Sequence, residues 1–201
     1  MVRPAQTARS ERTREALRQA ALVRFLAQGF EETSAEQIAA DAGVSLRTFY
    51  RHFSSKHDLL FADYDAGLHW FRAALAARPT DEPITESVQA AIFAFPYDVD
   101  AVAKIAALRD AELDSGRIVR HIRQVESDFA DAVAERLSRA EPADTVEDRL
   151  RVTVTARCIA AAVFGAMELW MLGQDRSLAG LASLCHDALT FLDGGLLRRD
   201  Q

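Results

Sequence analysis

Residues 45–56, SLRTFYRHFSSK, interleave cations and hydroxyls with aromatics in a way that suits contact with a polyanion. At about 100° per residue along a helix, Leu46, Phe49 and Phe53 share one face, with Tyr50 at its margin. Arg47, Thr48 and Arg51 point the opposite way, flanked by His52. An arginine on such a free face can fork onto guanine O6 and N7, and a threonine can meet a base edge or the thymine methyl. Tyr50 and His52 can donate to phosphate oxygens, which fixes register without reading bases. Ser34 and Lys56 stand at the starts of predicted helices, where main-chain donors and the helix dipole attract phosphate. The implied chemistry is recognition of the DNA major groove by Ser34, Arg47, Thr48, Tyr50, Arg51, His52 and Lys56.

Those side chains need a rigid frame, and the flanking spacing supplies one. Ala39, Gly43 and Phe49 fall at offsets of zero, four and ten. A small residue where two helices cross, a glycine at the turn and an apolar anchor in the second helix make a helix-turn-helix. Upstream, Ala16, Leu17, Ala20, Ala21, Val23 and Phe25 recur at helical steps from Ser10 to Gln28, with Gly29 as a left-handed stop. Ser34 and Gln37 form a capping-box pattern for the next helix, which ends at Gly43, and Ser45 caps a third through Phe53. A long fourth helix runs to about Ala77.

RPTDEP, residues 78–83, breaks the chain, since Pro79 cannot continue a helix and Pro83 suits a first turn. Further helices are predicted near Ile84–Phe95, Asp100–Asp114, Ile118–Ala140, Val146–Leu172 and Leu178–Leu192. Their stops are Pro96, Gly116, Pro142, Gly173 and Gly194–Gly195. No alternating strand pattern, repeat or low-complexity run is seen, so the expected fold is all-α with about nine helices. At 201 residues and 49% hydrophobic the chain can bury a real core.

Net charge is −6, yet it is unevenly placed. Residues 1–56 hold nine basic against six acidic side chains, +3, and the remainder holds 15 basic against 24 acidic, −9. A basic head on an acidic body fits a polyanionic partner at the head alone and, on charge alone, equally a solvated surface with uneven charge.

TSAEQIAADAGVSLRTFYRHFSSKHDLL resembles the DNA-binding segment of the TetR family of bacterial transcriptional regulators, in a match covering about Arg14 to Leu60. The pattern is a Thr/Ser cap, Ile-Ala, Ala-Gly-Val-Ser, an aromatic-Tyr pair, His-Phe, Ser-Lys and Leu-Leu. The resemblance implies phosphate-clamp roles for Tyr50, His52 and Lys56, and base-facing roles for Arg47 and Thr48. Arg47 is a departure, because the family often has glycine there; the operator sequence therefore does not carry over from relatives. The resemblance also implies a cytoplasmic, nucleoid-associated homodimer, in the manner of a repressor, that binds a near-palindromic double-stranded operator. A small lipophilic effector, of fatty acyl type, would release it by moving the fourth helix.

On this reading residues 1–9 form a flexible basic arm with Arg3 and Arg9, and 10–56 the DNA-binding domain. Residues 57–77 form a connecting helix, 78–195 an effector-binding and dimerisation bundle, and 196–201 a tail. For the effector pocket the expected residues are Trp70, Phe93, Phe129, Phe164 and Met167, with plain core packing as the alternative. Arg109, Arg157 and Glu168, joined by His121, are polar groups set in apolar helices that either pair with one another as a structural network or meet an effector's head group. Phe71, Phe95, Tyr97 and Met171 are further apolar candidates. The dimer interface is expected along Val152, Ile159, Val163 and Trp170 with Leu181, Leu184 and Ala188, where small residues at 160–162 and Gly165 allow close approach; packing within the chain's own core is the alternative for the same stripe.

Other chemistries find little support. Cys158 and Cys185 lack CxxC spacing and are read as core packing. Asp110–Gly116 imitates a calcium loop, but Ser115 stands where the glycine belongs and His121 where the glutamate belongs. No HxxxH pair, Gly-rich loop ending in GK or GxSxG elbow occurs, so no metal, cofactor or enzymatic activity is expected. The N-terminus has no apolar signal core, and no uncharged run of about 18 apolar residues marks a membrane span. The competing expectation is a helical lipid- or acyl-binding protein, or an enzyme, without DNA binding.

Overall fold

Helix follows helix because apolar residues recur at three- and four-residue steps along much of the chain and the breaks fall at glycine, proline and capping residues. The computed structural model describes residues 4–94, 99–141, 143–174 and 177–195, and these are helical with no strand among them. The helices are α1 Pro4–Gln28, α2 Ala35–Asp41, α3 Leu46–His52, α4 Ala62–Ala76, α5 Ile84–Phe93, α6 Val99–Glu112, α7 Ser115–Ala140, α8 Val146–Leu172 and α9 Leu178–Asp193. A 3-10 segment, Lys56–Phe61, precedes α4. Arg3, Phe95, Pro96, Tyr97, Pro142 and residues 196–201 lie outside the described residues.

α1 begins at Pro4, so part of the stretch expected as a flexible arm is helical. A proline at the first helical position costs nothing, because its missing N–H has no partner there. Gly116 is not a stop either: α7 starts at Ser115 and runs through it. Gly29 and Gly43 do adopt left-handed backbones, φ +88° and +66°, which an L side chain rarely takes.

The chain forms two compact units. The first comprises residues up to Asp63 together with Asp100–Ile118, and the second Tyr64–Val99 with the chain from Val119 onward. Asp100–Ile118, expected within the effector domain, thus clusters with the first unit. The reason lies in two arginines. Arg109 on α6 is 3% exposed; its Nε donates to the Leu60 carbonyl at 2.8 Å, and its guanidinium lies 5.5 Å from the Phe61 ring centre. Arg117 at the start of α7 pairs with Asp58 at 2.7 Å.

In the first unit Leu17, Phe25, Phe30, Ile38, Phe49 and Leu60 form a buried core. Arg24 on α1 grips the Asp41 carboxylate at the end of α2 through two nitrogens, at 2.6 and 2.9 Å, and this fixes α2 against α1. The pairing holds Asp41 below the usual carboxylate range.

The second unit packs around Phe71, Leu75, Val88, Phe129, Val133, Ile159 and Val163, with Phe71 and Phe129 stacked 3.9 Å apart. Its 77–83 turn is locked by polar groups. Arg78 and Ser87 both donate to the Glu82 carboxylate, and buried Arg136 donates to the Pro79 carbonyl. Those bonds pull Glu82 down to about 2.

α8 departs from expectation in a consistent way. Ile159 and Val163 are buried in this core, and Leu181 joins Ala166 and Cys185 in a second cluster that Trp170, Leu184 and Ala188 cover. The stripe assigned to a dimer interface is thus largely the chain's own interior, with Val152 half-buried. Cys158, expected in the core, is exposed, whereas burial pushes the Cys185 thiol up to about 11. The outward face carries Val146, Leu150, Val154, Leu169 and Leu172. With apolar residues on both faces, α8 is long and apolar enough to cross a membrane, by length and composition alone. No uncharged run was found in the sequence because Arg157 and Glu168 interrupt it.

Candidate nucleic-acid interface

α2 and α3 hold the interface together through their caps. The Ser34 hydroxyl oxygen accepts from the Gln37 N–H at 3.2 Å while the Gln37 side chain accepts from the Ser34 N–H at 2.9 Å, a reciprocal capping box. Backbone hydrogen bonding at the helix start, together with the Ser34 side chain, holds the Glu36 carboxyl below its usual range. The turn into α3 closes by the Val44 N–H donating to the Ala39 carbonyl at 2.9 Å, with Ala39 buried at the crossing. Ser45 caps α3, accepting from the Thr48 N–H at 3.1 Å.

α3 sits on its apolar side. Phe49 is fully buried, Phe53 is 3% exposed, and their rings lie 5.9 Å apart, while Leu46 is half-buried. Arg47 and Arg51 are exposed on the other side, and Tyr50 is 54% exposed with its ring edge-on to Phe49. Thr48 is half-buried, its Oγ1 lying 3.0 Å from the Ser45 Oγ. The structure thus brings Arg47, Thr48, Tyr50 and Arg51 onto one solvent-facing side of a pinned helix.

His52 is half-buried, and its Nε2 is enclosed without a hydrogen-bond partner. Burial, reinforced by the nearby charges of Arg51 and Arg14, lowers its pKa, so the ring is neutral at pH 7. Arg14, on α1, reaches across to within 5.3 Å of the Phe53 ring centre.

Lys56, expected as a phosphate clamp, makes contacts within the chain. Its ammonium donates to the Phe30 carbonyl at 2.9 Å and the Glu31 carbonyl at 3.4 Å, and stands 4.2 Å from the Phe30 ring centre. These contacts bind the loop before α2 to the 3-10 segment and leave the charge turned to the protein. Next to it, Asp58 accepts from the Ser54 and Ser55 backbone N–H groups, the Ser54 hydroxyl and Arg117. Burial raises the Asp58 pKa, but these donors outweigh it and keep the carboxylate charged. Sequence reading missed Asp58, although Ser55 and Asp58 carry the spacing of a capping box, a Ser followed three residues later by an acid.

The residues proposed for an effector site are only partly gathered. Phe93, Phe129, Phe164 and Met167 belong to one apolar core, with Phe164 edge-on to Phe129 at 5.7 Å. His121 is half-buried, 3.6 Å from Asp65 and packed against the Tyr64 ring. Trp70 is 42% exposed. Arg109 is buried in the first unit, and Arg157 and Glu168 are exposed on α8, so these three do not form a polar group within that core.

Comparison with known proteins agrees with this geometry. Residues 17–62 match the family described as bacterial regulatory proteins, tetR family, a span that runs from the middle of α1 into the first residue of α4. The HTH-type transcriptional regulator TcmR of Streptomyces glaucescens is 31% identical over 189 residues, which cover 90% of this chain and 83% of that protein. Among solved structures, FadR of Thermus thermophilus, a TetR-family repressor in complex with lauroyl-CoA, is 21% identical with a TM-score of 0.53, covering 94% of this chain and 97% of that one. SmeT, the repressor of the Stenotrophomonas maltophilia efflux pump SmeDEF, is 22% identical with a TM-score of 0.53, covering 94% of each chain. With the pinned helix, its outward arginines and a relative similar over most of its length, the chain belongs to the TetR family of bacterial transcriptional regulators, which are regulatory and not enzymatic proteins.

Proposed function

We propose that this regulator is a homodimeric repressor that reads a near-palindromic operator with α3 and is released by a small lipophilic effector. The observation that carries the DNA-reading part is the exposure of Arg47, Tyr50 and Arg51 on a helix whose opposite side, Phe49 and Phe53, is buried. Arg47 and Thr48 would face base edges, while Arg51, Tyr50 and His52 hold phosphates. Two copies then place two such helices in half-sites about one helical turn or more apart.

Support for an effector is of a different kind. The second unit has a core rich in aromatics, and the Thermus thermophilus FadR structure contains lauroyl-CoA. A fatty acyl ligand among Phe93, Phe129, Phe164 and Met167 would need to weaken operator binding by only about 1–3 kcal/mol. The setting for such a protein is the cytoplasm, on nucleoid DNA.

Fluorescence anisotropy with duplexes from the gene's own upstream region tests the proposal. The expected result is salt-sensitive binding to one duplex, reversed by a medium- or long-chain acyl-CoA. Acyl-CoA binding with no affinity for any of these duplexes at low salt would instead favour a helical lipid-binding protein.

A further inference from the structure

We propose that α8 pairs antiparallel with the α8 of a second copy, centred at the level of Val163, so that Arg157 meets Glu168 of the partner subunit twice across the two-fold axis. This rests on the homodimer proposed above, and adds to it a register and the contacts that set it.

Six positions carry the argument. Val154, Arg157, Ala161, Gly165, Glu168 and Leu172 fall within a sector of roughly 80° when α8 is projected at 100° per residue. That sector lies opposite the buried face formed by Ala156, Ile159, Ala160, Val163 and Ala166. Five of the six are exposed, with Val154 at 51% and Leu172 at 75%. Gly165 is half-buried, but a methyl group built on it would touch nothing within 4 Å, so packing inside the chain does not require a glycine there.

The chemistry of these positions is palindromic about residue 163. Ala161 and Gly165 lie two residues to either side, Arg157 and Glu168 six and five, and Val154 and Leu172 nine. Across a two-fold axis, antiparallel helices bring each position against its counterpart on the other side of the centre. Small residues then meet at the crossing, where they let two backbones approach, and aliphatic side chains meet at the ends. Between them, arginine meets glutamate. The two ion pairs lie about 8 Å on either side of the axis, from a rise of about 1.5 Å per residue. A parallel pairing would set arginine on arginine and glutamate on glutamate. Among the described residues, neither Arg157 nor Glu168 has an ion-pair partner in its own chain.

Charge exchange in the full-length protein provides the test, with sedimentation equilibrium at low salt as the readout. Arg157→Glu and Glu168→Arg each replace two attractions with two repulsions, and each should raise the dimer Kd roughly 5- to 500-fold. The double exchange should restore the wild-type Kd within about threefold. An equimolar mixture of the two single variants should give heterodimers, resolved by a mass tag on one of them. Thermal melts by circular dichroism confirm that each variant is folded, as both sites are on the surface. Ala161→Phe, which obstructs the crossing without altering charge, should also weaken the dimer. Single exchanges that leave Kd unchanged, or a double exchange that remains weak, would overturn the register while leaving a dimer in place. A wild-type protein that stays monomeric at micromolar concentration would remove the homodimer itself, and the proposal with it.

Discussion

Lys56→Met separates two roles that a lysine at this position can play. The family resemblance makes its ammonium a phosphate clamp, whereas the structure turns it onto the Phe30 and Glu31 carbonyls and the Phe30 ring. Methionine keeps the length and apolar stem but removes the charge. A hydrogen bond from a charged donor contributes about 1.5–3 kcal/mol. Only the 2.9 Å bond to Phe30 earns that value, because 3.4 Å to Glu31 is long and exposed. The cation over the Phe30 ring adds about 0.5–1 kcal/mol at a site open to water. Methionine's own contact with the ring offsets part of this, leaving a loss of about 2–3 kcal/mol. For a chain of this size that lowers the melting temperature by about 4–12 °C. Operator binding is then measured by anisotropy across a salt series, well below both melting temperatures. A phosphate contact would contribute about 0.9 to the slope of log affinity against log salt; the structure predicts an unchanged slope. A slope reduced by nearly one with an unaltered melting temperature would refute the structural role.

Arg47→Ala should relax discrimination at one base position by about 1–3 kcal/mol, seen by selection from a random-sequence duplex library; an unchanged preference would remove Arg47 from base reading. Phe129→Ala should destabilise the second unit by about 3–5 kcal/mol in urea unfolding, because Phe129 stacks on Phe71 and meets Phe164 edge-on; a loss under 1 kcal/mol would contradict that core. Glu82 has a folded pKa of about 2 against an ordinary 4.5, so its contribution is fully present above pH 4.5 and is lost as pH falls from there toward 2. Glu82→Gln should flatten that part of the acid unfolding profile, and an identical profile would show that the Arg78 and Ser87 bonds do not couple to folding.

The helix-turn-helix was legible because its signals are local. Ser34 with Gln37, Ser45 with Thr48, and the left-handed Gly29 and Gly43 all act within four or five residues, and a one-dimensional pattern records such spacings. Which face of α3 is buried followed from the same short range. What the pattern does not record are partners far along the chain. Lys56 bonds to a carbonyl 26 residues away, and Arg109 to one 49 away. Arg109 therefore read either as a member of a structural polar network or as a group meeting an effector, while its partners in the structure are Leu60 and Phe61 in the first unit. The assignment of α6 to that unit was hidden for the same reason.

α8 shows a second limit, one of symmetry and not of distance. Periodicity finds an apolar face when the other face is polar. On α8 one face is Ile159, Val163 and Ala166 and the other is Leu150, Val154, Leu169 and Leu172, so the pattern does not say which the chain buries for itself. The choice follows from α9, whose Leu181 and Cys185 close over Ala166 and leave the other face in water. Water is a poor final environment for such a stripe, since monomeric proteins seldom expose a long contiguous apolar surface. Arg157 and Glu168 interrupt it with opposite charges at matched positions, which disfavours lipid and suits a surface that is its own complement. A near-palindromic operator needs two reading helices related by a two-fold axis, and a self-complementary α8 would provide that axis in a unit separate from the DNA contacts.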